Sequence, residues 1–574
     1  MRVCLVTPFA WSQPHDVNEH VAGVAGGLRR LGHDVTVLAP STRAADLLEG
    51  RRAIMHGEQP DVIAVGPAVP VSRRSQLGVP VGVQANLSQA LAQGRFDVVH
   101  GFEPGVPSLS YLALRDSGTL GVATFVSPAR LGYPPARSQR ERLLARIDAL
   151  IALSPAARDA AEERFPGDYH LLSPGVDLSL FSPTTKKHTV VVELRPTERA
   201  VARAVLHELL SLDGWNAVLL RTRPLIGRPT IPRGLVGRVH MRTARDGRTR
   251  AAIFNDAAIF VPGIDGLARV SLEAAAAGCA IAHPRGTEVQ PELAAAATAR
   301  FAEHDDVREQ EAAAARESAA GQSFDAVAAE LASIYEGLGH RRVRRASADP
   351  LADRPWVVAD LHMHTSWSHD CSIDPAELVD HAVAEGLGAI AVTDHNVFGG
   401  ALEAADYAGD RDLVVIPGEE VKTDGQGEVI GLFLEREIPR GMSFADTVAA
   451  IREQGGLVYV PHPFDRMHAI PDSRMLHRHL GEIDVLEVYN ARLLFETYND
   501  EALRFARKYN LTMGAGSDAH VLQGVGTGAL RLRAFNDPEE FLISLRTAQI
   551  LRRPKSLAYL QSLKWVAQVK EKVK

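Results

Sequence analysis

Short apolar runs alternate with segments of helical periodicity along most of this 574-residue chain. The opening shows the pattern, with an apolar run at 2–8, a helical segment at 17–33 and a second apolar run at 34–40. These three segments form a βαβ unit, and repeated βαβ units build a parallel sheet with helices on both faces. The alternation therefore predicts an α/β protein.

The alternation falls into three blocks. Two blocks precede residue 340, and they predict two Rossmann-type domains over 1–185 and 186–339 that face a cleft. Residues 340–356 interrupt the pattern with arginine, alanine, serine, aspartate and proline, so we predict a solvated linker there rather than a nucleic-acid-binding patch. The third block, 357–552, alternates strand and helix again, and a basic tail follows at 553–574.

Composition narrows the choice of compartment and partner. The net charge of −7 argues against a protein that coats nucleic acid, so no stable nucleic-acid partner is expected. Only three cysteines occur, far apart and without metal-binding spacing, which favours the reducing cytoplasm over a disulfide framework.

Histidines and carboxylates follow apolar runs at five points of the third block. In "DLHMHTSWSHDC", His362 and His364 are two residues apart at a strand end, so both side chains point to one face. The other runs end in the same kind of residue: His395, Glu420, His462, Asp518 and His520. Imidazole with carboxylate is the ligand set of Zn²⁺, Mn²⁺ or Fe²⁺. Any one of these could be an unrelated strand cap, but together they predict a metal site at the rim of a β/α barrel.

The motifs "DLHMHTSWSHD", "AVTDHN", "PGEE", "VPHPFDR" and "GSDAH", in this order, resemble the PHP family, the polymerase and histidinol phosphatase domain. The resemblance implies a distorted (β/α)7 barrel that holds two or three divalent ions (Mn, Zn or Fe) and hydrolyses phosphoesters. It implies three metal positions with these ligands: His362, His364 and Asp518; Glu420, shared with the first position, and His462; Asp370, His395 and His520.

Two positions depart from the family pattern. His369 stands where many relatives have the aspartate of the first motif, so Asp370 is the predicted ligand and His369 the alternative. Glu428 replaces a histidine of many relatives; as a ligand it would favour harder ions such as Mn²⁺, and otherwise it is a surface strand residue. Glu419 should point away from the site because it neighbours Glu420 on a strand.

The chemistry implied by the resemblance is hydrolysis of a small-molecule phosphoester or nucleotide by a metal-bridged hydroxide. Asp394 would orient a ligand. Arg466 and Arg492 would contact the phosphate, or else both are exposed rim residues.

The first 340 residues resemble the two-domain GT-B glycosyltransferases of family 4, through the opening strand–helix–strand, "FDVVHGFEPGVPSLS", "SPGVDLSLF" and "GLARVSLEAAAAGCAIA". The resemblance implies a nucleotide-sugar or glycan ligand in the cleft, bound by Arg195, Arg199, Asp265 and Glu273. His15 and Asp16 replace the family's Gly-Gly pair, and Val126 replaces a histidine. Loss of glycine and an added carboxylate both oppose a diphosphate.

Three functional hypotheses follow. The leading one is a metal-dependent phosphoesterase on a degenerate glycosyltransferase-like scaffold, which could also sense a sugar nucleotide. The second is an active glycosyltransferase with an accessory PHP hydrolase, and the third is a non-catalytic binding protein. The basic amphipathic tail either contacts an anionic membrane surface or packs against its own domain.

Overall fold

A computed structural model describes residues 1–70, 78–80, 83–194, 199–222, 229–263, 268–283, 289–340, 350–465 and 473–553. The chain divides into two compact units, Met1–Leu338 (unit 1) and Gly339–Lys574 (unit 2). Within the described residues, no helix has both the length and the apolar character needed to cross a membrane.

Unit 1 begins with an eight-stranded sheet in the order β4-β3-β2-β1-β5-β6-β7-β8. All neighbours are parallel except the β3–β4 pair. The strands are β1 (Arg2–Val6), β2 (Asp34–Ser41), β3 (Val62–Pro70), β4 (Gly78–Pro80), β5 (Val98–Phe102), β6 (Leu120–Phe125), β7 (Ala149–Ala152) and β8 (Tyr169–Leu171). The helices are α1 (Asp16–Arg30), α2 (Ala44–His56), α3 (Gln84–Gly94), α4 (Leu109–Asp116), α5 (Arg137–Leu144) and α6 (Pro155–Arg164).

A second, five-stranded parallel sheet completes unit 1, in the order β11-β10-β9-β12-β13. Its strands are β9 (Lys187–Leu194), β10 (Asn216–Arg221), β11 (Val239–Thr243), β12 (Ala257–Val261) and β13 (Ala280–Ile281). The accompanying helices are α7 (Ala200–Glu208), α8 (Gly247–Phe254), α9 (Ala268–Ala276), α10 (Pro291–Glu303), α11 (Asp305–Ala320) and α12 (Phe324–Gly339). The two parallel sheets confirm the predicted pair of Rossmann-type folds.

Unit 2 is built on a nine-stranded sheet in the order β20-β19-β18-β17-β16-β15-β14-β21-β22. Its strands are β14 (Trp356–Met363), β15 (Ala389–Val392), β16 (Val414–Lys422), β17 (Glu428–Leu432), β18 (Leu457–Val460), β19 (Val485–Asn490), β20 (Thr512–Gly516), β21 (Gly528–Arg533) and β22 (Gln549–Arg552). The helices are α13 (Pro375–Ala384), α14 (Gly399–Ala408), α15 (Phe444–Glu453), α16 (Ser473–Arg478), α17 (Glu496–Tyr509) and α18 (Pro538–Leu545).

Strands β14 to β20 close into a seven-stranded barrel. The ends of β14 and β20 meet where the Asp518 N–H donates to the His362 carbonyl (2.8 Å) and the His364 N–H donates to the Ala519 carbonyl (3.2 Å). The barrel is distorted because β17 is antiparallel to both of its neighbours, β16 and β18. This architecture confirms the predicted PHP-type barrel. β14 begins at Trp356, the last residue of the predicted linker, and most of the predicted tail lies outside the described residues.

Local sequence explains where many helices begin. Serine or aspartate stands at the N-cap of α4, α6, α8, α13, α15 and α18, among others, and accepts a backbone N–H of the first turn. Proline follows the cap in three of them, where its missing N–H costs nothing. In unit 2 these caps fix the starts of α13, α15 and α18.

Candidate metal centre

The predicted metal ligands of unit 2 lie at one rim of the barrel. Six of the seven barrel strands run in the same direction, so their carboxyl ends share this rim. Glu428 is the exception, because it begins β17; since β17 runs the other way, its start faces the same rim. The structure thus brings Glu428 to the site, half-buried, and its Oε2 lies 3.8 Å from His462 Nε2.

Glu420 is at the middle of the cluster. Its Oε2 lies 3.1 Å from His395 Nδ1, 3.3 Å from His362 Nε2 and 3.5 Å from His364 Nε2. Its Oε1 lies 3.1 Å from His462 Nε2. A buried carboxylate that contacts four histidines from three other strands has the geometry expected of a group shared between ions.

The remaining predicted ligands form a second part of the same cluster. Asp370 lies between two histidines, with Oδ2 2.9 Å from His520 Nε2 and Oδ1 3.7 Å from His395 Nε2. Asp518 Oδ1 is 3.4 Å from His364 Nε2 and 3.4 Å from His520 Nδ1. His369, the alternative to Asp370, is exposed, and its ring centroid lies 5.6 Å from that of His395.

Among the described residues, four overlapping groups of side chains place their ligand atoms within 4.8 Å of one another and could each hold an ion. They are His362–His364–Glu420, Glu420–Glu428–His462, His364–His395–His520 and His362–His462–Asp518. All nine residues predicted as ligands therefore lie in this one cluster, either within these groups or, for Asp370, in contact with them.

The hydrogen bonds and neighbours of His364 indicate whether these residues can bind a cation. The Ser368 hydroxyl donates to Asp394 (2.7 Å), so its oxygen can only accept from His364 Nδ1, 3.3 Å away. His364 Nε2 then carries a lone pair, is buried, and has no hydrogen-bond partner among the described residues. It faces the carboxylates of Asp518 and Glu420. A lone pair among carboxylates is unfavourable without a cation between them, so the donor set fits divalent metal ions.

The charges of the site act on its pKa values. Burial, together with His520 and His395, holds the pKa of His364 well below its ordinary value, which keeps the ring neutral. Burial alone would raise the pKa of Glu420, but His362 and His395 outweigh it and hold that pKa well below its ordinary value. Burial likewise opposes charge on His462, yet Glu420 raises its pKa to about 9. The Glu420 carboxylate is thus ionised and available to cations.

Backbone strain accompanies the ligands. His462 and Asp518 have positive φ angles of 27° and 52°, and Asn396, next to His395, has a φ of 56°. Such conformations are costly for residues other than glycine and persist only where the surrounding structure holds them. Close packing at Gly400 also supports this region: only glycine fits there, because a Cβ would lie 2.2 Å from Asp394 Oδ2.

Asp394 belongs to none of the four groups and contacts residues that neighbour the predicted ligands. Its carboxylate accepts from the Thr365 N–H (2.6 Å), the Thr365 hydroxyl (2.6 Å) and the Ser368 hydroxyl (2.7 Å). Ser368 in turn contacts His364 and accepts from the His395 N–H (2.9 Å). The side chain is therefore placed to orient ligands through Ser368.

Arg492 borders the cluster, and Arg466 lies outside the described residues. Arg492 Nη1 is 3.1 Å from Asp518 Oδ1 and 3.2 Å from His520 Nε2. Its side chain is 25% exposed, so this guanidinium, which lies beside the predicted metal ligands, is open to an approaching molecule.

The sequence motifs do not include one buried acid of the site, Glu487 of β19, which contacts His362 and His462. It lies inside the apolar run "DVLEVYN" rather than after it, so a search for residues past strand ends passes over it. Glu419, which is predicted to point away from the site, accepts from the Ile438 N–H (2.8 Å).

In unit 1, the predicted donor-binding residues are only partly described. Arg195 and Asp265 lie outside the described residues, and Arg199 is the N-cap of α7. Glu273 is fully buried and engaged on both oxygens by Arg250, at 2.5 and 2.8 Å, and by Arg269 at 3.1 Å. Both arginines also contact Glu19 of α1, at 2.7 and 2.5 Å. We call these four residues the Glu19–Glu273 network.

The positions that replace family glycines and histidine also have structural partners. His15 Nδ1 caps α1 by accepting from the Val17 N–H (3.1 Å), and its ring stacks on Phe9 at 3.5 Å. The Val126 N–H donates to Glu103 (3.2 Å). The start of α1, which would approach a diphosphate, is occupied by a buried imidazole.

Comparison with known proteins agrees with both halves of the fold. Residues 17–180 match Glycosyltransferase Family 4, residues 360–505 match the PHP domain, and residues 496–550 match the PHP-associated family. An uncharacterized protein of Methanocaldococcus jannaschii is 34% identical over 214 residues, which are 35% of this chain and 85% of that protein.

Two further proteins are similar to part of this chain. The phosphatidyl-myo-inositol mannosyltransferase of Mycobacterium tuberculosis is 28% identical over 386 residues, covering 58% of this chain and 97% of that enzyme. The structure of a glycosyltransferase from Rickettsia africae shares 13% identity, covers 59% of this chain and 98% of that chain, and gives a TM-score of 0.41. The chain therefore belongs to the PHP family through its C-terminal unit and joins that domain to a Glycosyltransferase Family 4 region.

Proposed function

We propose that unit 2 is a metal-dependent phosphoesterase. The observation that carries this proposal is the convergence of five histidines and four carboxylates at one barrel rim, with the bare Nε2 of His364 facing two of those carboxylates. A non-catalytic binding protein would have no need to bury so many imidazoles and carboxylates together at one rim.

The donor set supports two or three divalent ions. Imidazole and carboxylate together suit Zn²⁺, Mn²⁺ and Fe²⁺, and the carboxylate of Glu428 favours the harder Mn²⁺. When bound, such ions supply Lewis acidity, which lowers the pKa of water and neutralises charge on a phosphoryl group. His362, His364 and Asp518 would hold one ion, His462 and Glu428 a second, and Asp370, His395 and His520 a third, with Glu420 shared.

The chain's own residues would position the substrate. Arg492 is half-buried next to Asp518 and His520, and its guanidinium can donate to phosphate oxygens that approach the rim. Asp394 would keep Ser368, and through it His364, in one orientation. The substrate class is a small-molecule phosphoester, with nucleotides included.

The test is elemental analysis of the purified protein with a panel of phosphoesters assayed in added Mn²⁺. We expect His364→Ala to lose bound metal and to reduce hydrolysis by about 1,000-fold or more, because the variant removes a ligand of the site. His381→Ala is the matched control, since His381 lies on α13 and away from the cluster. Wild-type turnover in His364→Ala would overturn the assignment.

We also infer that unit 1 retains the scaffold of a glycosyltransferase without its usual donor site. Glu273, which the resemblance assigns to the donor, is already neutralised by Arg250 and Arg269, and His15 occupies the start of α1. The second candidate, an active glycosyltransferase, is favoured by the match that spans 97% of a mannosyltransferase.

Heat stabilisation by GDP- and UDP-sugars separates these two candidates. We expect no shift of the unfolding temperature with either donor, while Mn²⁺ in the same assay raises it and shows that the assay is sensitive. A shift of several degrees with a nucleotide-sugar would favour the transferase.

A further inference from the structure

Glu487 is a fully buried acid at the floor of the metal cluster. It lies in β19, its side chain has no exposed surface, and it approaches ligands that belong to two other strand ends. A buried carboxylate is costly unless hydrogen bonds compensate it.

Four donors compensate this one. Glu487 Oε1 accepts from His362 Nδ1 (3.1 Å) and from the Tyr459 hydroxyl (2.9 Å). Glu487 Oε2 accepts from the His462 N–H (2.7 Å) and from the Asn490 side-chain amide (3.0 Å). A carboxylate has about four lone-pair positions, so this group is saturated by protein donors and has none left for an ion.

The bond to His362 decides which ring nitrogen is free. A carboxylate carries no proton, so His362 Nδ1 must donate to Glu487. His362 Nε2 is then the nitrogen that faces the cluster, within hydrogen-bond distance of Glu420 Oε2 (3.3 Å). When His362 is neutral, the bond to Glu487 therefore selects the tautomer whose Nε2 is free, which is the tautomer that a metal ligand requires.

The same carboxylate reaches two further ligands. It holds the N–H of His462, whose backbone has a φ of 27° that is unfavourable without such support. The Asn490 amide that donates to Glu487 also lies 3.3 Å from Asp518 Oδ2, and Asn499 fixes Asn490 from behind. His362, His462 and Asp518 thus depend on one buried anion.

We propose that Glu487 is the positioning residue of the metal centre: it fixes the His362 tautomer and the His462 backbone without binding an ion itself. The inference rests on the proposed function of unit 2 as a metalloenzyme. Mutation of such an outer partner lowers metal affinity because the ligand must reorient or change tautomer before it binds.

Glu487→Gln gives the sharpest test, because it preserves shape and removes one acceptor. If the amide oxygen faces the His462 N–H, the NH₂ group faces His362 Nδ1 and pushes its proton to Nε2; the reverse orientation opposes two N–H donors. We expect the metal-free full-length variant to bind Mn²⁺ and Zn²⁺ about 10- to 100-fold more weakly in calorimetric titration. Nitrogen-15 imidazole spectra should show the His362 proton displaced from Nδ1.

Tyr459→Phe is the matched control, because it removes one hydrogen bond from the same Glu487 oxygen and leaves the His362 contact. We expect its affinity to fall by no more than about fivefold, the effect of one hydrogen bond. If Glu487→Gln does not fold, Glu487→Asp decides: a loss of at least about fivefold supports the proposal, since its shorter reach weakens the His362 bond.

Two failures can be told apart. If wild-type protein binds the metals and Glu487→Gln binds them equally with an unchanged His362 tautomer, the positioning role is wrong and the metalloenzyme proposal stands. If the wild-type protein itself binds no divalent ion, the proposed function fails, and the role of Glu487 fails with it.

Discussion

The two units gather charged side chains in opposite ways. In unit 1 the Glu19–Glu273 network pairs two carboxylates with two arginines, and each charge has a partner of opposite sign. In unit 2 four carboxylates lie among five imidazoles, and the buried Nε2 of His364 has no hydrogen bond to any described residue. A compensated cluster stabilises a fold, whereas an uncompensated one requires a ligand. Charge balance, rather than charge density, separates the candidate site from the structural network.

The largest expected effect on stability comes from removing one charge from the Glu19–Glu273 network of unit 1. Arg250→Met leaves Glu273 buried with one partner fewer, and we expect the free energy of unfolding of unit 1 to fall by about 3–5 kcal/mol. Denaturant unfolding followed at two probes separates the units. Arg137→Met, in an exposed pair with Glu141, should change it by less than about 0.5 kcal/mol. Equal effects of both variants would contradict the comparison.

Removal of metal should act on unit 2 alone. Chelation leaves its carboxylates unshielded, and restoring free Mn²⁺ to 100 times its dissociation constant should recover about 2.7 kcal/mol of stability. Calorimetric scans with and without chelator measure this. Stabilisation of the unit 1 transition instead, or of neither, would show that the rim is not the binding site.

One acid of unit 1 lacks full compensation and sharpens the comparison. Glu103 is completely buried, its Oε2 has no hydrogen-bond partner among the described residues, and burial raises its pKa to about 8. In unit 1 a proton on Glu103, rather than a metal ion, neutralises the buried carboxylate.

The sign of the resulting pH dependence follows from that pKa. Folded Glu103 keeps a proton between its ordinary value of 4.5 and about 8, while the unfolded chain loses it, so stability falls as pH rises through this window. Glu103→Gln stays neutral and should be more stable than the wild type at pH 9 by about 1–3 kcal/mol, with no such gain at pH 4. Urea unfolding at the two pH values measures the difference; parallel pH profiles would contradict the assignment.

The smallest effect concerns the choice of metal. Glu428→His replaces an oxygen ligand with nitrogen, so the ratio of Zn²⁺ to Mn²⁺ affinity should rise by about tenfold. Competition titrations measure it. An unchanged ratio would place Glu428 outside the ligand set, as a surface strand residue.

The fold and the clustering of the predicted ligands could be predicted from the sequence for the same reason. Apolar runs that alternate with helical segments mark strands, and residues just past parallel strands share a rim. The sequence alone therefore predicts that His362, His395 and Asp518 lie close together. An apolar run does not indicate whether its strand runs parallel or antiparallel to its neighbours. The antiparallel course of β17, which carries Glu428 to the rim, is therefore visible only in the structure.

What the sequence could not reveal depends on distant pairing. Glu19 and Arg269 are 250 residues apart, and nothing in their local sequence indicates that they meet. Glu487 occupies an inward position in an apolar strand, where a core residue is the ordinary expectation. Its role follows only from the four donors around it.

Metal stoichiometry of wild-type protein and Glu420→Gln, measured by native mass spectrometry with elemental analysis, tests the central claim most directly. Glu420 contacts four of the histidines, so the wild type should bind two or three divalent ions per chain and the variant should lose at least one of them. A wild-type chain free of divalent metal after supplementation, or a variant with undiminished stoichiometry, would contradict a shared metal centre at this rim.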